Sequence, residues 1–234
     1  MLKAILFDLD GTLINDSMAT FLPPYFRALT KKVAHLVPPD KFIAQLQAST
    51  RAMVARTDLS LTMAEAFAAD FFPKLGVARE ILIPLFDDFY ERDYPELRPY
   101  VQSIPESRGV VARAINLGYK TVIATMPVFP ETAIRQRMEW GGIADFAYAL
   151  VTDYQTMHAS KPHTAYYREI AAMIGCAPED CVMVGNEVEN DMLPAKRAGM
   201  KTFWITDVGE FPTDVPADWR GTLKDLGELL ESRF

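Results

Sequence analysis

From residue 103 onward the sequence alternates between short apolar runs and segments of helical spacing, and that alternation leaves few folds open. KTVIAT (120–125), the region near AYALVT (147–152), CVMVG (181–185) and KTFWIT (201–206) are each too brief for a buried helix and read as strands. Before the first of them lies a helix opened by SIPE (103–106) and closed by Gly118, and between the first two lies a helix over 130–140. Further on come a helix started by Pro162 that carries Tyr166, Ile170 and Met173, and a helix ending at Gly199. Leu223 to Glu231 reads as a closing helix. Strands alternating with helices predict a parallel sheet covered on both faces. One more apolar run, residues 3–8, stands alone near the N-terminus, is stopped by Asp-Gly turn chemistry, and must join that sheet.

Residues 17–98 have a different character, with four apolar stripes and no strand signal. Leu22, Tyr25, Phe26, Leu29, Val33 and Leu36 fall at helical spacing behind Pro23-Pro24, and Ile43, Leu46, Met53 and Val54 follow the Pro38-Pro39 break. TMAE (62–65) is a capping-box pattern leading Met63, Phe67 and Phe71 onto one face. Ile81, Leu82, Leu85, Phe86 and Phe89 make the fourth stripe, with Pro84 kinking that helix or marking its start. The expectation is an α/β chain: a Rossmann-like parallel-sheet core from residues 1–16 and 99–234, and an inserted four-helix bundle at 17–98.

A net charge of -7 argues against a nucleic-acid or anionic-membrane surface, so an anionic ligand must be held by a few local cations. Cys176 and Cys181 flank a turn, have no second pair to complete a zinc site, and read as core thiols of a reducing compartment. With no basic leader and no apolar stretch near about 18 residues, a soluble, cytoplasmic protein is expected.

Within ILFDLDGTLI (5–14), Asp8 and Asp10 stand two apart directly behind the first strand. In an extended chain both carboxylates leave the same face, and like charges that close raise each other's pKa. The pair asks for a metal ion, a proton or a cationic side chain. A calcium loop is excluded, because position six would be Leu13 and position twelve Ala19 where glycine and glutamate are required. Ligands of open α/β sheets bind at the carboxyl ends of the strands. Those ends carry Asp8 and Asp10, then Thr125, then Lys161 after the next strand and its loop, then Gly185-Asn186 with Asp191 nearby.

In that order, DLDGTL, VIAT, KP and VGNEVENDM resemble the four motifs of the haloacid dehalogenase-like (HAD) hydrolase superfamily, and the helical insert resembles its type 1 cap. The resemblance implies a Mg²⁺-dependent phosphatase acting on a small phosphorylated metabolite. It makes Asp8 the nucleophile, Asp10 the general acid and base, and Thr125, Met126 and Lys161 the phosphate-binding residues. The implied metal ligands are Asp8, Asp10 through its backbone carbonyl, Asn186 and Asp191. Counter-charge is needed, because an anionic nucleophile and a phosphoryl oxygen repel by about 4 kcal/mol at 4 Å and an effective dielectric near 20. A phosphomutase uses the same residues. A dehalogenase fits less well, since that chemistry in the superfamily dispenses with Asp10 and magnesium.

Blander readings exist for each residue taken singly. Thr125 alone is a strand-end hydroxyl, Lys161 alone a solvated charge, and Asp191 a first-turn acid of a helix. His35, His158 and His163 are scattered, and Lys31, Lys32, Arg51 and Arg56 suit solvated faces. Three positions depart from the family pattern: Asn186 stands where members carry a metal-binding aspartate, Met126 where many have asparagine, and Glu187 where a small residue is common. These departures also leave room for a non-catalytic binder of phosphorylated metabolites.

Overall fold

A computed structural model of the chain describes residues 2–15, 18–206 and 215–232. Along it run β1 (Ala4–Phe7), β2 (Ile14–Asn15), α1 (Met18–Val33), α2 (Pro39–Val54), α3 (Met63–Leu75) and α4 (Arg79–Asp88). A π-helical turn (Phe89–Asp93) and a 3-10 stretch (Tyr94–Tyr100) lead into β3 (Gln102–Ser103). Then come α5 (Pro105–Asn116), β4 (Lys120–Ile123), α6 (Glu131–Trp140), β5 (Leu150–Val151), α7 (Thr164–Met173), β6 (Cys181–Gly185), α8 (Leu193–Ala198), β7 (Lys201–Ile205), β8 (Trp219–Gly221) and α9 (Leu223–Glu231).

Six strands form one parallel sheet in the order β5-β4-β1-β6-β7-β8. The period-two alternation of a strand explains why β1 is apolar throughout. Ile5 and Phe7 point into a core shared with Val111 of α5, Ile134 of α6 and Leu226 of α9. Ala4 and Leu6 point the other way, against Tyr166 and Ile170 of α7 and Ala195 of α8. The sheet is therefore covered on both faces, as expected for a Rossmann-like α/β fold. After β1 the chain builds outward through β4 and β5, then crosses to β6 on the other flank of β1. The strand order thus reverses beside β1, and that is where such sheets open a crevice.

The helical insert packs onto the same apolar mass: Phe42, Phe71, Leu82 and Phe89 belong to one continuous core with Phe7. It is also tied to the sheet side by backbone hydrogen bonds, Met63 N to Met157 O (2.8 Å) and Ala64 N to Tyr154 O (2.7 Å). Thr62 and Glu65 form the expected capping box at the start of α3. The expected boundary between residues 16 and 17 lies outside the described residues.

Several local expectations are corrected. The helix after SIPE begins at Pro105 with Ile104 as its cap, because Ser103 is taken by the antiparallel pairing of β3 with β2 (Ile14↔Ser103, Asn15↔Gln102). Pro162 does not start a helix. It sits in a turn closed by His163 N to Ser160 O (2.9 Å), with a cis Lys161–Pro162 peptide, and α7 begins at Thr164. Pro23 and Pro24 lie inside α1, which starts upstream of them, and Pro84 lies inside α4. The two-residue strands β2 and β3 and the three-residue β8 are too short to leave a periodic signal. Met173 and Ile81, expected on buried stripes, are half-exposed. Cys176 and Cys181 are free thiols. Among the described residues no helix is long and apolar enough to cross a membrane.

Candidate active site

The site begins where β1 ends. Asp8 N donates to Val184 O (2.8 Å), so the first residue past the strand is held against the end of β6. Gly11 then turns the chain with φ +74°, and a Cβ there would lie 2.6 Å from Asn186 Nδ2, so the turn needs glycine for its dihedral and for space. The turn brings Thr12 back, and its hydroxyl lies 3.2 Å from both Asp8 Oδ2 and Asn186 Oδ1. Asn186 follows β6 and is fixed at its carbonyl by Trp204 Nε1 (3.0 Å).

Lys161 reaches the same point from the loop after β5. Its Nζ donates to Asp8 Oδ1 (2.6 Å) and to Asp191 Oδ1 (2.6 Å), and all three side chains are buried. Burial disfavours the Lys161 ammonium, but the carboxylates of Asp191 and Asp8 together outweigh it, and its pKa is raised well above the usual lysine value. Burial pushes the Asp191 carboxyl up to about 7, against the opposing pull of Lys161. The second oxygen of Asp191 accepts from Glu187 N (3.0 Å). Gly185 admits that carboxylate, since a Cβ there would stand 2.3 Å from Asp191 Oδ2.

Asp10 turns elsewhere. Its carboxylate pairs with Arg137 of α6, which is 1% exposed and stacks its guanidinium over Phe21 (4.8 Å) and Phe129 (5.7 Å). The question posed by two neighbouring acids is thus answered by two cations: Lys161 serves Asp8, and Arg137 serves Asp10.

Thr125, past the end of β4, is buried, and its carbonyl accepts from Thr152 Oγ1 (2.9 Å) and Tyr166 OH (2.7 Å). Asp8, Asp10, Thr125, Met126 and Lys161 all line one cavity of about 950 Å³, whose opposite wall is the helical insert. Asn186 lies on a second cavity with Gly11 and Thr12, and Asp191 lines neither. His163 lines the larger cavity, with Nε2 on Val54 O (2.9 Å), and His158 pairs with Glu169 (2.8 Å). Of the basic residues read as solvated, Lys32 pairs with Asp88 and Asp93, while Arg51 lines the larger cavity.

Apart from the Lys161 ammonium on Asp8 Oδ1, the groups here that could ligate a cation are oxygens: the Asp8 carboxylate, the Asn186 side-chain oxygen and the Thr12 hydroxyl. Such a set fits a hard divalent cation, with one carboxylate in place of a cluster. Among the described residues no three His, Cys, Asp or Glu side chains gather as a metal cluster. The sequence reading missed Thr12, Arg137, Tyr166 and Trp204. Arg137 did leave a signal: it shares a helical face with Ala133, Ile134 and Met138, where a charge needs a buried partner.

A model of the haloacid dehalogenase-like hydrolase family matches residues 2–199. A glyceraldehyde 3-phosphate phosphatase of Pyrococcus furiosus is 29% identical over 108 residues, and the match spans 45% of this chain and 43% of that protein. A phosphoserine phosphatase of Thermus thermophilus is 25% identical over 97% of this chain and 98% of its own. The crystal structure of a 2-haloacid dehalogenase from Pseudomonas syringae superposes with a TM-score of 0.67 at 19% identity, covering 100% of both chains, a likeness of fold. The family's match over most of the chain and the gathering of Asp8, Lys161 and Asp191 at the strand ends lead to one conclusion: the chain belongs to the haloacid dehalogenase-like hydrolases.

Proposed function

We propose that the protein is a Mg²⁺-dependent phosphatase that hydrolyses a small-molecule phosphomonoester through a phosphorylated Asp8, beneath a type 1 helical cap formed by residues 17–98. The observation that carries this reading is the Lys161 ammonium 2.6 Å from Asp8 Oδ1, both facing the cavity that also exposes Asp10 and Thr125. Phosphatases of phosphoserine and glyceraldehyde 3-phosphate among the relatives support the reaction class.

In this reading Asp8 Oδ2, the oxygen not paired with Lys161, attacks phosphorus. The P–O bond to the substrate's alcohol breaks, and Asp10, entering the step as the carboxylic acid with a proton taken from solvent, gives that oxygen its proton and is left a carboxylate beside Arg137. Asp10 then accepts a proton from water as the water attacks the phosphorus of phospho-Asp8, which releases phosphate and restores the carboxylate. Lys161 offsets the repulsion between Asp8 and the phosphoryl oxygens, and Asp191 holds Lys161 in place. Thr125 donates to a phosphoryl oxygen from a backbone pinned by Thr152 and Tyr166. Asp8, the backbone carbonyl of Asp10 and Asn186 are the groups that would hold Mg²⁺, which when bound supplies further positive charge beside the phosphoryl group. Both oxygens of Asp191 are engaged by Lys161 and Glu187 N, so we assign it to positioning Lys161 in place of the ligand role its motif implies.

The test is phosphate release from a panel of phosphorylated metabolites with and without Mg²⁺. Release that needs Mg²⁺ and vanishes in Asp8→Asn supports the reading. Release that survives that substitution refutes it.

A further inference from the structure

The cavity above Asp8 differs in size and chemistry from a pocket for a two- or three-carbon phosphate. At about 950 Å³ it lies near the top of the range that holds drug-sized ligands, roughly 300–1,000 Å³. Each of the four insert helices turns an apolar side chain into it: Phe26 from α1, Leu46 from α2, Phe67 from α3 and Phe86 from α4. Phe129 and Tyr154 complete the wall from the sheet side. Tyr25 and Tyr90 also face it, and their hydroxyls bond each other (2.9 Å), leaving ring surface to a ligand.

Charge is confined to the floor and the rim. Lys161 on the floor is shared between Asp8 and Asp191. The exposed rim carries Arg51 against three acids, Asp87, Glu91 and Glu187. A second anionic group on a substrate would meet net negative charge there, one arginine against three acids.

Resting on the phosphatase reading, we propose that the organic half of the substrate is a sizeable aromatic or alicyclic group without a carboxylate or second phosphate. Its phosphate reaches Asp8 while its rings fill the space among Phe26, Leu46, Phe67 and Phe86. This excludes phosphorylated hydroxy acids and amino acids as preferred substrates.

Binding of phosphonates, whose P–C bond resists hydrolysis, tests the assignment apart from turnover. Calorimetry in Mg²⁺ buffer compares 2-naphthylmethylphosphonate with 3-phosphonopropionate. The naphthyl compound is expected to bind at least about 30-fold tighter, from the apolar surface it buries. Phe26→Ala and Leu46→Ala are each expected to lose about fivefold or more of that affinity while changing phosphonopropionate binding less than about twofold. Equal affinities, preference for the carboxylate compound, or indifference to both substitutions overturns the proposal. Tight naphthyl binding with no release of phosphate from naphthyl phosphate sinks the phosphatase reading instead and leaves the pocket assignment standing.

Discussion

Arg137, buried at 1% exposure on α6, forms an ion pair with Asp10, the acid two positions beyond Asp8. The guanidinium also lies over the rings of Phe21 (4.8 Å) and Phe129 (5.7 Å), so aromatic contacts as well as the carboxylate hold it. In the proposed mechanism Asp10 has to hold its carboxyl toward the leaving oxygen, and a buried partner fixes its orientation more firmly than solvent would. Within that mechanism Arg137 is a positioning residue that acts through Asp10. Arg137→Met removes that cation and is expected to lower stability in urea denaturation, by less than the about 3–5 kcal/mol of a fully buried pair because the Asp10 side chain is 22% exposed. In Arg137→Lys, which folds more readily, kcat is expected to fall about tenfold to a hundredfold with KM within twofold. A kcat unchanged in Arg137→Lys would show that the pair is structural only.

Gly185 makes room for the Asp191 carboxylate that holds Lys161. Because a Cβ there would stand 2.3 Å from Asp191 Oδ2, Gly185→Ala is expected to push Asp191 away from Lys161. Overpacking of this kind costs about 1–3 kcal/mol. Chemical denaturation reads that cost, and steady-state kinetics should show kcat down by about tenfold or more. Wild-type kcat in a folded Gly185→Ala would mean that the Asp191–Lys161 contact does not matter for turnover.

Asn186 offers an oxygen without charge. Divalent-ion affinity follows the charge count of its ligands, so Asn186→Asp is expected to tighten Mg²⁺ binding about tenfold or more, read by calorimetric titration. An unchanged Mg²⁺ affinity would remove position 186 from the ligand set.

The capping box of α3 gives a stability prediction independent of the chemistry. Thr62→Ala removes the acceptor for Glu65 N (3.2 Å) and is expected to cost about 1 kcal/mol by urea denaturation. The backbone N–H of Thr62, then its hydroxyl, lower the Glu65 pKa below 4.5. A lowered acid contributes stability above its unfolded pKa and loses it as pH falls through the folded value. The gap in Tm between wild type and Thr62→Ala should therefore narrow below about pH 4.5. A gap constant from pH 7 to pH 3 would contradict the box.

Legibility in the sequence followed the strength of the local signal. β1 and β6 carry unbroken apolar runs, β7 carries Phe203-Trp204-Ile205, and α9 carries a capped amphipathic stripe, so their place could be read directly. Asp8 and Thr125 sit just past strand ends, where the sheet rule places them, and Lys161 reaches Asp8 from the loop after β5. What stayed hidden depends on contacts between distant segments. The pairing of Ile14 with Ser103 spans the whole insert, and it diverted Ser103 from capping α5. The partner of Asp10 lies 127 residues away, and only the misplaced charge on the apolar face of α6 hinted at it. Proline favours first helical positions, which is why Pro162 reads as a helix start, whereas here it belongs to a turn that ends before α7.

The most direct measurement of the central claim is an acid quench of the enzyme during turnover of naphthyl phosphate, followed by digestion and mass spectrometry. The account predicts one phosphoryl group on the peptide that contains Asp8, absent from Asp8→Asn and discharged on returning the sample to neutral pH. Steady phosphate release with no phosphorylated peptide at any quench time, or with the group on another residue, would contradict it.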